Sequence, residues 1–406
     1  MKLKHLFLSL ILSVAANGLF AQRFQVPYTG TIAVEDYIYV IPKHILPSNF
    51  SISTHSIQHG RDLFPIEKST DIHGNETFIS IIDITTDRRG RVVVPTVSLV
   101  RRRAEYPKRT FAEITHKTGG KWVRNPRRRQ FEYSGGEWLK TNYIRVPDNH
   151  TDRSNYIKYE GPGWESDKIG YRFYLDWRNA VSIFGKTKPD LILHEVGIDG
   201  NESYHNMQHW GMDILKVDRS LGVGSFGYWT GNRAFRVEIY DSIISRITAD
   251  GKLRSQVKTT YFGWDYNDNK NKVNLTSVIS IDAGSRASYQ QLLLSKPIDN
   301  ICTGLNRDPN GEYIRHIDKS GEWSYIATWG KQSLNTPADN LGIAIIFRNK
   351  NLVEITSDRD SWIVVLKPEN LFLDYYFLGA WELEPNGITT KDEFVRYLNR
   401  LTKMLK

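Results

Sequence analysis

The sequence contains only one cysteine, Cys302, among its 406 residues. An internal disulfide is therefore excluded, and the chain must gain its stability from a packed core. A catalytic thiol is the less favoured interpretation of Cys302, because the surrounding stretch IDNICTGL contains no histidine. We expect this side chain to be a small buried hydrophobic group.

Long apolar runs are also scarce, with one exception at the N-terminus. Lys2 and Lys4 precede an apolar stretch from Leu6 to Val14, and a small residue, Ala21, follows. This pattern predicts a secretory signal peptide over residues 1–21, and it is too short for a stable membrane span. A membrane anchor is the alternative. We therefore expect an exported protein, periplasmic or secreted, without a membrane span.

Two motifs of common enzyme classes are missing. The sequence has no P-loop and no G-x-S-x-G nucleophile elbow. These absences argue against kinases and common serine hydrolases. They do not exclude a glycoside hydrolase, since its paired carboxylates require no local motif.

Helical periodicity is rare, whereas strand-like runs recur along the chain. ETFISIIDITTD and VVVPTVSLV, separated by a DRRG turn, are typical of adjacent strands with one buried face. The C-terminal stretch TTKDEFVRYLNRLTKMLK predicts an amphipathic helix with Thr390 as N-cap and Glu393 completing a capping box. The sequence therefore predicts a mostly β fold of antiparallel β-sandwich architecture with a C-terminal helix. A composition shift places an N-terminal β-sandwich at 22–120 and a larger catalytic β-sandwich part at 121–406.

Basic residues outnumber acidic ones, 54 to 45, which gives a net charge of +9. The excess is concentrated in DRRGR at 87–91, RRR at 101–103 and RNPRRR at 124–129. Such runs are often a solvated face, but their density here favours a polyanionic partner. For an exported protein we expect an acidic, sulfated oligosaccharide rather than nucleic acid.

Polar and aromatic residues are dense between 155 and 186. If YRFYLDWR is a strand, Arg172, Tyr174, Asp176 and Arg178 share one face. Such a row is either the solvated face of a sheet or the floor of a cleft, and composition alone favours the solvated face. Two arginines on a stiff strand are nevertheless suited to bind a carboxylate or sulfate bidentately, so Arg172 and Arg178 are candidate substrate-binding residues.

Two histidines lie four residues apart in NESYHNMQHWGMDILKV. On a helix, His205, His209 and Asp213 would share one face and suit a divalent metal such as zinc. Against this, Asn206 replaces the glutamate of an H-E-x-x-H motif, and Gly211 weakens a helix. The metal site therefore stays an alternative.

The same segment offers groups for acid–base catalysis. An unperturbed imidazole titrates near neutral pH, which suits His205 and His209 for proton transfer. Tyr204 and Lys216 are further candidates if neighbouring positive charge lowers their pKa values. Histidines that only fill a polar core are the remaining interpretation.

Aromatic residues are abundant, with 11 Trp, 21 Tyr and 17 Phe. Aromatic side chains in such polar stretches stack on sugar rings in some proteins, although they more often fill cores. The candidate aromatic contacts for a substrate are Tyr159, Trp164, Trp210 and Trp381.

Three stretches resemble a known family: EGPGWESDKIGYRFYLDWRNAVSIFGK, SYHNMQHWGMDILKVDRSLGVGSFG and LGAWELEPNGI. The family consists of exported proteins of unknown function, encoded in bacterial polysaccharide-utilisation loci, and the resemblance covers nearly all of the mature chain. It implies a β-supersandwich similar to enzymes that act on sugars. One member that is similar in these motifs is an oligosaccharide dehydratase in the degradation of ulvan, a sulfated polymer of rhamnose and uronic acids.

The reaction that the resemblance implies is elimination of water across C4–C5 of a non-reducing-end uronic acid. A positive group must neutralise the carboxylate, a base must remove the C5 proton, and an acid must protonate the departing C4 hydroxyl. The product carries a 4,5-unsaturated uronyl end. A polysaccharide lyase using the same β-elimination, a glycoside hydrolase and a non-catalytic glycan-binding protein are the alternatives.

The chemistry of this reaction suggests a role for each candidate residue. It requires no cofactor, unless His205, His209 and Asp213 bind a metal as in the alternative above. The expected assignments are Arg172 and Arg178 for the carboxylate, His205 or Tyr204 for the base, and His209 or Lys216 for the acid.

Overall fold

The computed structural model describes residues 22–199, 203–267 and 271–405. Within them the chain is mostly antiparallel β with an α-helix at the C-terminus, so the predicted fold class is confirmed. The expected signal peptide, residues 1–21, lies outside the described residues. In the described part of the chain, no helix is long and apolar enough to cross a membrane.

Eight strands between residues 22 and 100 form two small sheets. They are β1 (Gln22–Gln25), β2 (Val34–Val40), β3 (Ser56–His59), β4 (Asp62–Phe64), β5 (Glu67–Thr70), β6 (Glu76–Thr86), β7 (Val92–Val93) and β8 (Thr96–Val100). One sheet has the order β1-β8-β3-β4 and the other β2-β6-β5, with β7 paired to β6. The two sheets share an apolar core that includes Tyr39, Ile57, Ile82 and Val97.

The strand pairing changes between Val100 and Thr110. The next strands are β9 (Thr110–Thr118), β10 (Lys121–Asn125), β11 (Gln130–Ser134), β12 (Glu137–Thr141), β13 (Tyr143–Arg145), β14 (Gly163–Ser166), β15 (Gly170–Phe173), β16 (Val181–Lys186) and β17 (Gly211–Asp213). Strands β10 and β11 form a hairpin, and a six-stranded sheet has the order β12-β9-β14-β15-β16-β17. Strand β9 thus pairs with the larger part of the chain.

The rest of the chain forms two further sheets. Its strands are β18 (Val223–Trp229), β19 (Ala234–Arg236), β20 (Ser242–Asp250), β21 (Arg254–Asp265), β22 (Lys272–Asp282), β23 (Ala287–Leu294), β24 (Ile301–Asn306), β25 (Gly311–His316), β26 (Trp323–Gly330), β27 (Leu341–Arg348), β28 (Leu352–Ser357), β29 (Ser361–Leu366) and β30 (Phe372–Trp381). A nine-stranded sheet has the order β13-β20-β21-β22-β23-β30-β27-β26-β25, and a five-stranded sheet has the order β19-β18-β24-β29-β28.

The nine-stranded sheet is covered on both faces. In β27, Ile343 and Ile345 join the main core with the six-stranded and five-stranded sheets, whereas Ala344 and Ile346 point to the opposite face. This alternation follows from the two-residue period of a strand. Helix α1 (Lys391–Met404) packs on that opposite face.

Helix α1 begins as the sequence predicts. The Thr390 hydroxyl accepts a hydrogen bond from the Glu393 N–H at 3.2 Å, and the Glu393 carboxylate accepts one from the Thr390 N–H at 3.2 Å. These reciprocal bonds satisfy backbone donors that the first helical turn leaves unpaired. Phe394, Leu398 and Leu401 form the buried stripe of the helix.

The six-stranded sheet separates the apolar core from a polar layer, and this separation positions the candidate site. Trp164, Tyr171 and Ile183 point into the main core. On the other face, Arg172 lies between Gly163 and Ser182 in the strand register. The short 3-10 helices Lys158–Glu160 and Ser203–His205 belong to segments that lie near this polar face.

Candidate active site

A cleft of about 1180 Å³ includes part of this polar face in its lining. Its walls come from segments that are far apart in sequence: 128–132, 152–160, 172–178, 199, 204–219, 334 and 359–360. Most of the lining side chains are charged or polar. Such a cleft suits a hydrophilic ligand more than an apolar one.

Arg172 forms the fixed centre of the cleft floor. Its guanidinium donates to the Asp213 carboxylate at 2.5 Å and to the Tyr204 hydroxyl at 3.0 Å. The same group lies over the rings of Tyr174, Phe184 and Tyr204, at 4.7, 5.2 and 5.0 Å from their centroids. Burial alone would lower the pKa of Arg172, but Asp213 and the neighbouring tyrosines raise it above its usual value. Arg172 is therefore a permanent, oriented positive charge.

Asp213 is the buried partner of this arginine. Its carboxylate also accepts a hydrogen bond from the Ser182 hydroxyl at 3.0 Å. Burial on its own raises the pKa of Asp213, yet Arg172, His205 and Ser182 together hold that pKa below its ordinary value. Asp213 is consequently ionised at neutral pH.

His205 links this buried pair to the open cleft. Its Nδ1 lies 3.4 Å from an Asp213 carboxylate oxygen, while 49% of the His205 side chain is exposed. The imidazole also lies against the Tyr204 ring, with the centroids 4.6 Å apart. An imidazole whose Nδ1 faces a carboxylate is held in one orientation, and its Nε2 is turned away from that carboxylate. His205 thus has the geometry of an oriented acid–base group.

Tyr204 is almost fully enclosed, with 1% of its surface exposed. The candidate role of Tyr204 depended on neighbouring positive charge lowering its pKa. Instead, burial outweighs the opposing effect of Arg172 and raises the pKa of Tyr204 to about 12. The hydroxyl therefore keeps its proton at neutral pH, which suits a proton donor and not a resting base.

Arg178 anchors a second ion cluster in the floor. It pairs with Asp176 and lies 3.0 Å from a Glu160 carboxylate oxygen, and its guanidinium stacks on Tyr174 at 3.6 Å. Burial alone raises the pKa of Glu160, but Arg178 and the Arg153 N–H, which donates at 2.8 Å, lower it. Glu160 is therefore an ionised, fixed carboxylate.

The two arginines expected to bind a substrate carboxylate, Arg172 and Arg178, each already have a carboxylate partner in the chain. Other arginines of the lining are less committed. Arg153, Arg219 and Arg359 are exposed, and none forms an ion pair with another of the described residues. These arginines have their guanidinium groups available for an anionic ligand.

The backbone around the cleft adopts an uncommon conformation at several positions. Arg153, Asn155, Glu160 and Asp218 line the cleft and have positive φ angles of 56°, 56°, 73° and 44°. Non-glycine residues in this region cost of the order of 1–3 kcal/mol each, and such strain clusters at functional sites. This concentration of strain supports the cleft as the functional site.

Four aromatic candidates do not reach the cleft. Tyr159, Trp164, Trp210 and Trp381 are 1%, 0%, 4% and 0% exposed. Three of them donate hydrogen bonds to internal partners: Trp164 to Ser288 at 2.9 Å, Trp381 to Asp339 at 2.6 Å and Tyr159 to Glu113 at 2.7 Å. The structure gives these side chains a packing role in place of the expected substrate contact, because neighbouring elements enclose them.

Of the two remaining candidates, Lys216 lies in the cleft and His209 does not. Lys216 lines the cleft and lies 3.2 Å from the Asp218 carboxylate. His209 is absent from the cleft lining, and its Nε2 lies 3.5 Å from Glu195 with 68% of the side chain exposed. His209 therefore lies outside the cleft that His205 lines.

The metal alternative does not fit the local structure. After the short 3-10 helix Ser203–His205, the chain turns through a Gln208–Gly211 bridge and enters β17, so no helix aligns His205 with His209. Gly211 has a φ of 133°, which L side chains rarely adopt. Among the described residues, no three His, Cys, Asp or Glu side chains converge as a metal site.

Two segments match enzyme motifs by spacing alone. GVGSFG at 222–227 has the glycine spacing of a dinucleotide-binding loop, but it runs into strand β18, which pairs with β24, and no helix follows. Ser255 and Lys258 have S-x-x-K spacing, yet three residues along strand β21 place them on opposite faces. Neither segment forms the structural context that its motif requires.

Several residues of the cleft were not among the candidates from the sequence. They are Glu160, Arg153, Trp177, Arg219 and Arg359. Of these, only Glu160 and Trp177 lie in the stretch 155–186, which is dense in polar and aromatic residues. The other three belong to loops, and the pairing of strands that are distant in sequence brings these loops to the cleft.

No curated protein sequence matches the chain. The chain is similar to the crystal structure of a protein in the glycosyl hydrolase family 38 from Enterococcus faecalis, with a TM-score of 0.41 and 7% identity, over 95% of this chain and 47% of that one. An alpha-mannosidase from Enterococcus faecalis V583 is similar with a TM-score of 0.40 and 7% identity, over 95% and 45%. The chain thus spans about half the length of these structures. By its match over residues 70–406, the chain belongs to the family DUF4861, a domain of unknown function.

Proposed function

We propose that the protein is a carbohydrate-active hydro-lyase that removes water across C4–C5 of a non-reducing-end uronic acid in oligosaccharides of ulvan. The resemblance of its motifs to an oligosaccharide dehydratase suggests this reaction. The observation that carries the proposal is the arrangement of an oriented imidazole, His205, beside a protonated phenol, Tyr204, in a polar cleft. Elimination needs one group of each kind.

His205 is the base of the proposed reaction. Its neutral Nε2 removes the C5 proton of the uronic acid, and the electrons of the C–H bond move toward the carboxylate. Asp213, at 3.4 Å from Nδ1, stabilises the imidazolium that forms. A carboxylate that remains ionised is required for this role, and the lowered pKa of Asp213 meets the requirement.

Tyr204 is the acid. Its hydroxyl protonates the C4 oxygen as the C4–O bond breaks, so water leaves and the C4=C5 double bond forms. The Arg172 guanidinium, 3.0 Å away, stabilises the tyrosinate that remains. Transfer of the proton from the imidazolium to the tyrosinate through solvent restores both groups.

The substrate carboxylate must be neutralised while the C5 proton is removed. Arg172 contributes positive potential from the floor, although its hydrogen bonds are directed to groups of the chain. The exposed arginines Arg219 and Arg359 are the lining groups that can meet this carboxylate directly. Preorganised positive charge of this kind stabilises an enolate without reorganisation during the reaction.

A glycoside hydrolase is less well supported by the same residues. Such an enzyme needs one carboxyl group with a raised pKa to act as general acid. The pKa values of Glu160 and Asp213 in the floor are both lowered by arginines, against the effect of burial. A polysaccharide lyase would use the proposed machinery unchanged if C4 carried a sugar in place of a hydroxyl.

Incubation with ulvan oligosaccharides that have saturated ends tests the proposal. We expect ultraviolet absorbance of a conjugated alkene and a product lighter by one water in the mass spectrum. His205→Ala and Tyr204→Phe should each lower kcat by a factor of about 10² to 10⁴, the usual contribution of an acid or base. Unchanged thermal unfolding of the variants would assign that loss to chemistry.

Other products would contradict the proposal in recognisable ways. New reducing ends without the alkene would identify a hydrolase. Alkene formed together with a shorter chain would identify a lyase. Binding without any product, unaffected by His205→Ala, would identify a glycan-binding protein.

A further inference from the structure

We propose that the cleft contains a second sugar subsite next to the reaction centre, with the Trp177 indole as a stacking platform and Arg153 as an anion-binding group. The subsite would bind the sugar attached to the reacting uronic acid, together with a sulfate ester on it. This inference rests on the proposed function for the position of the reacting sugar. Its components come from contacts that the proposed chemistry does not use.

Trp177 is an exposed aromatic side chain that lines the cleft, with 42% of its surface accessible. Its Nε1 donates to the Asp152 carboxylate at 3.1 Å, and the Arg236 guanidinium lies 5.3 Å from its ring centroid. The indole is therefore held at its edge and supported by a cation, while much of its surface stays open. An indole face that is held open in a polar cleft is suited to stack on the apolar face of a sugar ring.

The platform lies beside the catalytic groups and not among them. Trp177 stands between Asp176 and Arg178 in the chain, and Arg178 belongs to the Glu160 cluster of the floor. His205 and Tyr204 belong to the other cluster, which is built on Arg172 and Asp213. A sugar on the Trp177 ring would therefore be the neighbour of the one that reacts.

The loop that carries Arg153 is fixed from two sides. The Arg153 N–H donates to Glu160 at 2.8 Å, and the neighbouring Ser154 carbonyl accepts from the Tyr133 N–H of strand β11 at 2.7 Å. The Asp152 carbonyl accepts from Gln130 at 3.0 Å. The hairpin β10–β11 thus supports this wall of the cleft.

Arg153 is the cation of this wall that remains available. Arg128 lies 3.1 Å from Glu132, and Asp152 accepts the hydrogen bond of Trp177, so those groups have partners. Arg153 is exposed and forms no ion pair within the described ranges. A guanidinium is suited to a sulfate because its N–H groups match two oxygens at once. The ligand class is therefore a sulfated sugar whose apolar ring face covers the indole.

Two probes separate the subsite from the reaction centre. Methyl glucuronide occupies the reaction centre alone, whereas a disaccharide of a uronic acid and a sulfated sugar reaches the second subsite. Calorimetric titration in the His205→Ala background measures binding without turnover. We expect Trp177→Ala to weaken disaccharide binding about tenfold and to leave methyl glucuronide binding unchanged, and Trp177→Phe to restore most of the loss.

The anion-binding role needs its own comparison. Arg153→Gln should abolish the preference for the sulfated over the desulfated disaccharide and retain stacking on Trp177. Arg396→Gln removes the same charge from an exposed position on helix α1, and it should keep that preference. If both variants lose the preference equally, the effect comes from net charge, and Arg153 has no specific role.

The outcomes distinguish this inference from the proposed function. If Trp177→Ala weakens the binding of both probes equally, or weakens the binding of neither, the subsite proposal is overturned. This holds even if the wild-type protein forms the alkene. Disaccharide-specific weakening supports the subsite even if no alkene is formed, in which case the elimination chemistry fails alone.

Discussion

At the scale of single residues, His205 and His209 show how environment decides chemical role. His205 faces the buried carboxylate of Asp213, which is tied to Arg172. His209 faces Glu195, which is itself half exposed. The sequence predicts both as acid–base groups because imidazole is the usual proton-transfer group near neutral pH, and the spacing of four residues offers a metal site on a helix face as the alternative. The chain has a strand start at Gly211 instead, and only one imidazole enters the cleft.

The first prediction compares these two histidines. His205→Ala should lower kcat for alkene formation by at least about a hundredfold, because the base is lost. His209→Ala should leave kcat within about twofold, since an exposed ion pair contributes little. Steady-state kinetics of both variants checks this. A large loss in His209→Ala would show that the catalytic segment rearranges when substrate binds.

The second prediction concerns Asp213→Asn. Removing this carboxylate leaves the Arg172 guanidinium buried without its counter-ion, which typically costs about 3–5 kcal/mol of unfolding free energy. The folded-state pKa of Asp213 is lowered, so its contribution to stability is present above the ordinary value of 3.8 and is lost as the pH falls through the lower folded value. Denaturant unfolding at several acidic pH values should therefore show a weaker acid dependence in the variant. An unchanged acid dependence would contradict this account.

At the scale of elements, local sequence patterns indicate where strands and the helix form. They do not indicate whether a polar sheet face is open to solvent or is covered by loops that make a cleft. The capping box at Thr390 could be predicted because its residues are neighbours in sequence. Strand alternation along YRFYLDWR would place Arg172, Tyr174, Asp176 and Arg178 on one face, but only Arg172 of these four lies on a strand. Strand β15 ends at Phe173, and the chain turns so that the Tyr174 N–H bonds to the Ala180 carbonyl at 2.9 Å. That turn, and the loops that cover the face, depend on contacts distant in sequence.

Proline also explains why one predicted hairpin is short. The stretch after the DRRG turn pairs with β6 only through Val92 and Val93. Pro95 has no N–H to continue that ladder. Its carbonyl accepts from Val26 at 3.1 Å, and the following strand β8 belongs to the other sheet.

The third prediction concerns the contact between helix α1 and the nine-stranded sheet. Glu384 lies after β30 and accepts from Arg286 at 2.6 Å, and that arginine lies 5.3 Å from the centroid of the Tyr397 ring on the helix. Burial raises the pKa of Glu384 from its ordinary 4.5 to about 7, despite the opposing effect of Arg286. The stabilisation that depends on its proton is therefore complete below 4.5 and is lost as the pH rises through about 7.

Glu384→Gln removes this titration. Between about pH 5 and about pH 8, the wild-type unfolding free energy should decrease by up to about 3 kcal/mol more than that of the variant. Denaturant unfolding across this range measures the difference. Parallel pH profiles for the two proteins would show that Glu384 ionises as easily in the folded state as in the unfolded one.

At the scale of the whole molecule, the basic excess is distributed unevenly. The runs at 87–91 and 101–103 follow strands β6 and β8 of the N-terminal sheets, whereas the run at 124–129 lies at the tip of the hairpin β10–β11, beside the cleft. The cleft itself mixes cations with carboxylates such as Glu160 and Asp213. Composition predicts attraction of a polyanion, but it could not show that most cations of the floor are already neutralised. The uncommitted arginines of the rim are therefore the groups available to an anionic ligand.

The last prediction follows from this distribution. Attraction between the net charge of +9 and a sulfated oligosaccharide acts across solvent and is screened by salt. Raising the ionic strength from about 0.05 M to about 0.5 M should therefore increase KM several-fold, because the Debye length shortens from over 10 Å to less than 5 Å. The proton-transfer groups are buried or held by buried partners, so kcat should change by less than about twofold. Arg153→Gln should reduce the increase in KM, whereas Arg396→Gln should not. A salt effect that appears in kcat alone would mean that screening acts on the chemical step, and long-range attraction would then have no part in substrate capture.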